Sequence, residues 1–210
     1  MESIAQQVAK HLLQIKAIKL EPQNHFTWAS GWFSPIYCDN RKTLSYPDIR
    51  SYIRDAFVQT AQENFDELDV IAGVATGGIA HGALVAEKMQ KPFVYVRTAS
   101  KGHGLENRVE GVVKPGQNVL VIEDLISTGK SSLSAVAALR NSGCNVIGMI
   151  AIFTYSFETA SINFKNAGVN LVTLSNYETL LEQANAAGYI REKDLETLKV
   201  WRKDPANWKK

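Results

Sequence analysis

The sequence predicts an α/β domain with a central, mostly parallel β-sheet that is flanked by helices on both faces. From residue 69 to residue 174, short runs that are apolar throughout alternate with segments of helical periodicity. Strands without a polar face are typical of parallel sheets, because crossover helices cover both of their faces. The chain has 210 residues, and we expect a single domain to span 1–210.

Each predicted element has its own pattern. Strands are predicted where a short apolar run meets a turn, and they cover 69–74, 93–97, 118–122, 146–153 and 170–174. Helices are predicted where apolar residues recur on one helix face, and they cover 3–17, 46–65, 78–89, 129–141, 158–167, 177–187 and 192–201. Between 26 and 37 the chain is rich in aromatic residues, which favours short irregular strands.

Composition and charge are those of an ordinary globular enzyme. The formal net charge is only +2, and no clustered basic patch is present, so we expect no nucleic-acid partner. The amphipathic N-terminus and the lack of a long apolar run predict a cytoplasmic protein without a membrane partner. Neither Cys38 and Cys144 nor the histidines have the spacing of a zinc site or a disulfide framework, so no metal-ligating residues are predicted.

Three polar features follow predicted strands. They are the small-residue turn 73–78 (GVATGG), Arg97 with the polar loop after it, and the segment 123–131. Ligands bind beyond the carboxyl ends of parallel strands, so we expect the three features along one edge of the sheet. The polar loop is longer than most strand connections, which favours a functional, mobile lid at 98–112 over a mere linker.

The segment 119–132 (VLVIEDLISTGKSS) predicts a site for a phosphorylated ribose. A buried strand runs into Glu123 and Asp124, whose carboxylates can accept hydrogen bonds from sugar hydroxyls. The helix start that follows exposes unpaired backbone N–H groups that attract an anion. A nucleotide-kinase loop is excluded, because that motif needs a glycine where this chain has Asp124.

The loop 98–112 adds positive charge to the same edge. Arg97, Lys101, His103 and Arg108 lie in or beside its glycine-rich sequence. Cations on a mobile loop suit a polyanion that must be covered and then released. The backbone amides of the turn 73–78 are candidates for holding a pyrophosphate group.

With these residues in place, the chain resembles the type I phosphoribosyltransferases. VLVIEDLISTGKSS resembles their signature for 5-phosphoribosyl 1-diphosphate. FTWASGWFSPIYCDNR and RTASKGHG are similar to the substrate-covering hood and the catalytic loop of the orotate phosphoribosyltransferases. The resemblance implies the type I phosphoribosyltransferase fold with a small N-terminal hood, mainly from 19–40. It also implies Mg²⁺-dependent transfer of phosphoribose to orotate, giving orotidine 5′-monophosphate and pyrophosphate in UMP biosynthesis.

The resemblance also implies residue roles. Lys101, His103 and Asp124 would be catalytic, and Ser127 would reach orotate. The residues implied to bind the phosphoribosyl donor are Arg97, Lys101, His103, Glu123, Asp124, Leu125, Ile126, Ser127, Thr128, Gly129, Lys130 and Ser131. Members of the family are homodimers in which the lysine and histidine of the lid serve the neighbouring subunit.

The sequence leaves alternatives open for the binding of orotate, the acceptor of the phosphoribose. Many family members have lysines where this chain has Ala29 or its neighbours, Gly77 and Thr98. An arginine that often holds the orotate carboxylate in the family is missing from the AIFTYSF strand end, so either hood amides or Arg41 would hold it instead. Trp28 and Trp32 either stack on the base or only cover the hood. The alternative functions are a purine or uracil phosphoribosyltransferase and an RNA-binding, nucleotide-sensing regulator of the same fold.

Overall fold

The computed structural model describes residues 2–28, 30–97 and 108–209. Four residues of the sequence predictions, namely Ala29, Thr98, Lys101 and His103, lie outside these ranges. The strands are β1 (Ile18–Leu20), β2 (Phe26–Thr27), β3 (Phe33–Ser34), β4 (Ile36–Cys38), β5 (Val70–Val74), β6 (Phe93–Val96), β7 (Val109–Glu110), β8 (Asn118–Ile126), β9 (Asn145–Thr154) and β10 (Leu171–Asn176). The α-helices are α1 (Ile4–Gln14), α2 (Pro47–Asn64), α3 (Gly77–Met89), α4 (Lys130–Asn141), α5 (Glu158–Asn166), α6 (Tyr177–Ala186) and α7 (Glu192–Lys203). A short 3₁₀ helix, Asn40–Ser45, precedes α2.

The central sheet has six strands in the order β10-β9-β8-β5-β6-β7. Its strands are parallel except β7, which pairs antiparallel with β6. The prediction of a mostly parallel sheet flanked by helices is therefore confirmed. From β5 the chain first adds β6 on one side and later β8 on the other, so the strand order reverses between β5 and β8. A crevice opens at such a reversal and is the usual ligand site of open α/β sheets.

Strand β8 illustrates why the sheet strands are apolar throughout. Leu120 and Ile122 join the core on the face covered by α1, α2 and α3. Val119 and Val121 join the core on the opposite face, which α4 and α5 cover. All four side chains are fully buried, so both faces of the strand pack against apolar side chains over residues 119–122.

Two predicted boundaries are wrong. The sequence predicts that the central strand ends at Ile122, but β8 continues to Ile126, because β9 runs alongside it as far as Thr154. Glu123 and Asp124 therefore lie on the strand and not in a turn. The first helix ends at Gln14 and not near residue 17, since the backbone at Lys16 is left-handed with φ 54°.

The hood consists of two small antiparallel pairs, β1 with β4 and β2 with β3. It lies against the C-terminal helix, because the buried Trp201 of α7 donates a hydrogen bond from Nε1 to the Phe33 carbonyl at 3.2 Å. Trp28 braces the hood from within, with Nε1 donating to the Ile36 carbonyl at 3.1 Å. In the described parts of the chain, no helix has the length and apolar character to cross a bilayer.

Candidate active site

A cavity of about 850 Å³ lies at the carboxyl edge of β5 and β8, where the strand order reverses. Four described parts of the chain line it, and one of them is Arg108. The hood end contributes Asp39 and Arg41, and the turn after β5 contributes Ala75, Thr76 and Gly77. The fourth part is the end of β8 with the start of α4, which contributes Glu123, Asp124, Leu125, Ser127, Thr128, Gly129, Lys130 and Ser131. The donor-binding residues predicted at 123–131 thus line one cavity, with Ile126 buried beneath it.

The two carboxylates of β8 have different environments. Glu123 is buried, with Oε2 accepting from Ser132 Oγ at 2.8 Å and Oε1 accepting from the Asp124 backbone N–H at 3.0 Å. Asp124 is only half-buried and lies beside Gly77, where a Cβ atom would overlap its carboxylate. A residue larger than glycine would therefore displace the Asp124 carboxylate from the turn.

Burial changes the proton affinity of this pair. It raises the pKa of Glu123 well above its usual value, and the neighbouring Asp124 charge raises it further. Burial also raises the pKa of Asp124, while the hydrogen bond with Glu123 and the positive charge of Arg41 act in the opposite direction. Burial therefore favours the neutral form of both carboxyl groups, and Glu123 is the more deeply buried of the two.

The start of α4 has the features of an anion site. The residue before it, Gly129, has a left-handed backbone with φ 77° and no side chain that could cap the first N–H groups. Lys130 and Ser131 begin the helix and line the cavity. A Cβ atom at Gly129 would come within 2.5 Å of the Phe164 ring of α5, so this turn rests directly on that helix.

The arginines beside the predicted catalytic loop occupy different places. Arg108 lines the cavity and donates to Ser134 Oγ at 2.8 Å and to the Arg97 carbonyl at 2.9 Å. Arg97 is paired through Nε with Glu110 Oε1 at 2.9 Å, and the described lining of the cavity does not include it. The diphosphate contact of Arg97 stays a prediction, as do the roles of Lys101 and His103.

A second pocket of about 430 Å³ lies under the hood and shares Cys38, Leu125 and Ser127 with the larger cavity. Ser127 therefore lines both spaces, and its contacts with the donor and with orotate stay predictions. Trp28 lines this pocket. Trp32 lies behind Trp28, with ring centroids 6.4 Å apart, and the described lining does not include it. Of the two tryptophans, Trp28 is placed to contact a base.

Sequence reasoning did not select Tyr155, which also lines the hood pocket and packs against Trp28 at a centroid distance of 5.1 Å. Tyr155 directly follows β9, so the rule about carboxyl ends of parallel strands could have identified it. Arg41 lines the larger cavity, where its Nε pairs with Asp39 Oδ1 at 2.6 Å. Its expected contact with the orotate carboxylate stays a prediction.

Comparisons with known proteins identify the class. Residues 43–171 match the family model described as phosphoribosyl transferase domain. In the solved structure of orotate phosphoribosyltransferase from Aeropyrum pernix, a TM-score of 0.76 and 30% identity extend over 88% of this chain and 99% of that chain. The predicted type I phosphoribosyltransferase fold is confirmed. The class of protein is thus a phosphoribosyltransferase.

Sequence relatives narrow the class. Orotate phosphoribosyltransferase from Phocaeicola vulgatus is 59% identical over 99% of this chain and 98% of its own length. Orotate phosphoribosyltransferase from Porphyromonas gingivalis is 55% identical over 99% of both chains. This chain therefore belongs to the orotate phosphoribosyltransferase family.

Proposed function

We propose that the protein transfers phosphoribose from 5-phosphoribosyl 1-diphosphate to N1 of orotate, giving orotidine 5′-monophosphate and pyrophosphate in pyrimidine biosynthesis. One observation carries this proposal, namely that the hood pocket and the larger cavity adjoin and share Ser127 in their linings. The larger cavity offers a carboxylate and a helix start to a sugar phosphate. The hood pocket offers an aromatic surface to a planar base, and a transferase must bring these two ligands together.

Asp124 acts on the ribose. Breaking the bond between C1 and the diphosphate oxygen builds positive charge on the sugar ring, and a nearby carboxylate stabilises that charge. Glu123 fixes the strand behind it, since both of its oxygens are engaged by Ser132 and the Asp124 N–H. The 5′-phosphate binds at the start of α4, where Thr128 to Ser131 supply N–H and hydroxyl donors. Orotate binds already deprotonated at N1, so its attack needs no strong protein base.

Magnesium is the proposed cofactor. Among the described residues, no cluster of three or more acidic, histidine or cysteine side chains is suited to hold a metal ion. Asp39 and Asp124 do line the cavity, so a hard cation held mainly by diphosphate and ribose oxygens fits this donor set. When bound, Mg²⁺ neutralises charge on the leaving diphosphate.

The catalytic loop completes the proposed site. Lys101, His103 and Arg97 contact the diphosphate, as the family resemblance implies, and amides of the turn after β5 contribute to the same group. We also propose that the whole chain acts as one transferase domain in the cytoplasm, and that it forms a homodimer in which Lys101 and His103 serve the partner's cavity.

The decisive experiment is an assay of pyrophosphate release with purified protein and the phosphoribosyl donor. Orotate should support turnover, whereas uracil and hypoxanthine should not. Chelation of Mg²⁺ should abolish the reaction and added Mg²⁺ should restore it. Turnover with a purine or with uracil, but not with orotate, would contradict the proposal.

Subunit sharing has its own test. Inactive Lys101→Ala and Asp124→Asn proteins are mixed, dissociated and allowed to reassociate. In a mixed dimer one site contains both intact residues, so random pairing should restore about a quarter of wild-type activity. No recovery, with dimer exchange verified by differently tagged chains, would show that each subunit uses its own loop.

A further inference from the structure

Two asparagines outside the cavity contact the backbone of its sugar-phosphate segment. Asn40 Nδ2 donates to the Asp124 carbonyl at 2.6 Å, and Asn163 Nδ2 donates to the Thr128 carbonyl at 3.0 Å. These two carbonyls lie at the two ends of the segment that connects Asp124, proposed to act on the ribose, with the start of α4, proposed to bind the phosphate. Asn40 comes from the 3₁₀ helix after the hood and Asn163 from α5, so two separate elements hold the two ends.

At the Asp124 end of the segment, pairing with β5 no longer supplies hydrogen bonds to the backbone N–H and C=O of Asp124. Strand β5 pairs with β8 only as far as Ile122, and beyond that residue β8 keeps only β9 as a strand partner. Side chains take over for Asp124, since its N–H donates to Glu123 Oε1 at 3.0 Å and its carbonyl accepts from Asn40. The orientation of this peptide therefore depends on Asn40.

Asn40 is itself held firmly. Its side chain is fully buried, and Oδ1 accepts a hydrogen bond from Cys38 Sγ at 3.2 Å. Its carbonyl accepts from Thr43 Oγ1 at 2.6 Å. An amide with both ends engaged has one orientation, and it directs its donor at Asp124.

At the second end, helix α5 supports the phosphate turn through two consecutive residues. Asn163 binds the Thr128 carbonyl, and the Phe164 ring lies directly against Gly129. In a trans peptide, the C=O of one residue and the N–H of the next point in opposite directions. Drawing the Thr128 carbonyl toward α5 therefore turns the Gly129 N–H away from α5, toward the cavity that Gly129 lines.

We propose that Asn40 and Asn163 are positioning residues that aim the two halves of the sugar-phosphate site. Asn40 aims the Asp124 carboxylate at the ribose, and Asn163 aims the backbone N–H at the start of α4 at the 5′-phosphate. The inference rests on the proposed function for its substrate, but binding of ribose 5-phosphate tests it without orotate.

The phosphate end is tested with Asn163→Ala. Losing one hydrogen bond that orients a donor should weaken ribose 5-phosphate binding, measured by calorimetry, about fivefold. The KM for the phosphoribosyl donor should rise by a similar factor, while kcat stays within about twofold of wild type. Asn118→Ala is the matched control. Asn118 Nδ2 also donates to a backbone carbonyl, that of Glu67 at 2.9 Å, but it lies at the start of β8, at the end of that strand away from the cavity.

Asn163→Asp separates hydrogen-bond donation from packing. It keeps the shape of the side chain and replaces the donor with an acceptor, so binding should weaken at least as much as in Asn163→Ala. Asn166→Asp, at the exposed end of the same helix, controls for the added negative charge. A packing role predicts the reverse order, with Asn163→Asp closer to wild type than Asn163→Ala, and that order would overturn the proposal for this end.

The ribose end is tested with Asn40→Ser and Asn40→Ala, with thermal unfolding checked for both. The Asp124 carboxylate is proposed to stabilise the transition state, so a change in its orientation should lower kcat about tenfold while ribose 5-phosphate binding changes less than threefold. Asn40→Ser, which retains a hydroxyl donor, should lose less than Asn40→Ala. Equal losses in kcat and in binding would overturn the positioning role of Asn40.

These results separate the two proposals. A wild-type protein that binds ribose 5-phosphate but does not use orotate would contradict the proposed function and leave the positioning experiments valid. A wild-type protein that uses orotate, with Asn163→Ala unchanged in donor KM, would overturn the positioning role of Asn163 alone. A protein that does neither overturns both.

Discussion

The two halves of the site are built in different ways. The sugar-phosphate half consists of the end of β8 and the start of α4, which belong to the central sheet and its covering helix. The hood half consists of strands of two or three residues, paired two by two. The ladder with β9, buried apolar side chains and the hydrogen bonds of Asn40 and Asn163 hold the first half. Side-chain contacts, chiefly those of Trp28 and Trp201, hold the second.

This difference matches what each half must bind. Charge stabilisation on the ribose and phosphate needs groups aimed within a fraction of an ångström, and a strand end locked into a sheet supplies that precision. A planar base needs an apolar surface with a few polar contacts, and small strands braced by aromatic rings supply that surface. We therefore expect changes in the first half to act on donor use and on kcat, and changes in the hood to act on orotate binding.

The largest effect is expected from Asp124→Asn. Removing the charge that faces the ribose should lower kcat about 10²-fold or more, because this carboxylate acts mainly in the transition state. Steady-state kinetics with saturating donor and orotate measure the change. Asp66→Asn, at an exposed position after α2, is the control. An Asp124→Asn protein with near-normal kcat would remove the carboxylate from the mechanism.

A tenfold or greater rise in donor KM is expected from Gly129→Ala. The substitution places a Cβ against Phe164 and requires a non-glycine residue at φ 77°, so the phosphate turn must shift. Gly168→Ala is the matched control, since Gly168 has φ 59° with open space around its Cβ position. If both variants lose stability and neither changes donor KM, Gly129 serves only the backbone conformation.

Trp28→Ala should raise the KM for orotate about tenfold and leave donor KM within about twofold, because the ring lines the hood pocket. Trp32→Ala should change orotate KM much less, since Trp32 stacks behind Trp28. Initial rates measured over a range of orotate concentrations give the orotate KM of each variant. Equal effects of the two substitutions would mean that the tryptophans only hold the hood in shape.

The smallest effect is the pH dependence of stability caused by Glu123. Its pKa in the folded protein is raised above the usual 4.5, so the folded state keeps a proton that the unfolded chain releases. Stability is therefore complete below this usual value and is lost as pH rises through the raised pKa. Glu123→Gln removes this loss and should raise the melting temperature by about 2–4 °C at pH 8.

The difference between wild type and Glu123→Gln should shrink toward about pH 4, where both side chains are neutral. Thermal unfolding across this pH range measures it. The exposed Glu182→Gln is the control and should show no such trend. A gap that stays constant across the pH range would mean that the substitution acts through packing.

Prediction from sequence succeeded where a local pattern had one physical solution. The apolar runs in the predicted strands 69–74 and 118–122 are short and end in turn signals, which favours strands buried on both faces, and they are the neighbouring β5 and β8. The strand boundary at Ile122 failed because the acidic residues after it looked like a turn. The ladder with β9 extends the strand through them, and this partner is not visible in the local sequence.

The site was predicted in part for the same reason. Residues 123–131 are contiguous, so their common location followed from the chain itself. Asn40, Tyr155 and Asn163 come from three other elements, and only the packing of those elements brings them to the sugar-phosphate segment or to the hood pocket. Without the fold, a polar residue in a short helix has no distinguishing pattern, and Tyr155 is marked only by its position directly after a parallel strand.

The amino-acid sequence was enough to predict the sheet and its helices, because periodicity is a local property. It also predicted the contiguous segment 119–132 as a site for phosphoribose, whereas the hood followed from the family resemblance. The tertiary structure decided how deeply each carboxylate is buried, since the environments of Glu123 and Asp124 depend on surrounding elements. It also decided which tryptophan lines the hood pocket and which side chains hold the ends of the binding segment. Proton affinity and orientation depend on neighbours that are distant along the chain, so only the folded structure determines them.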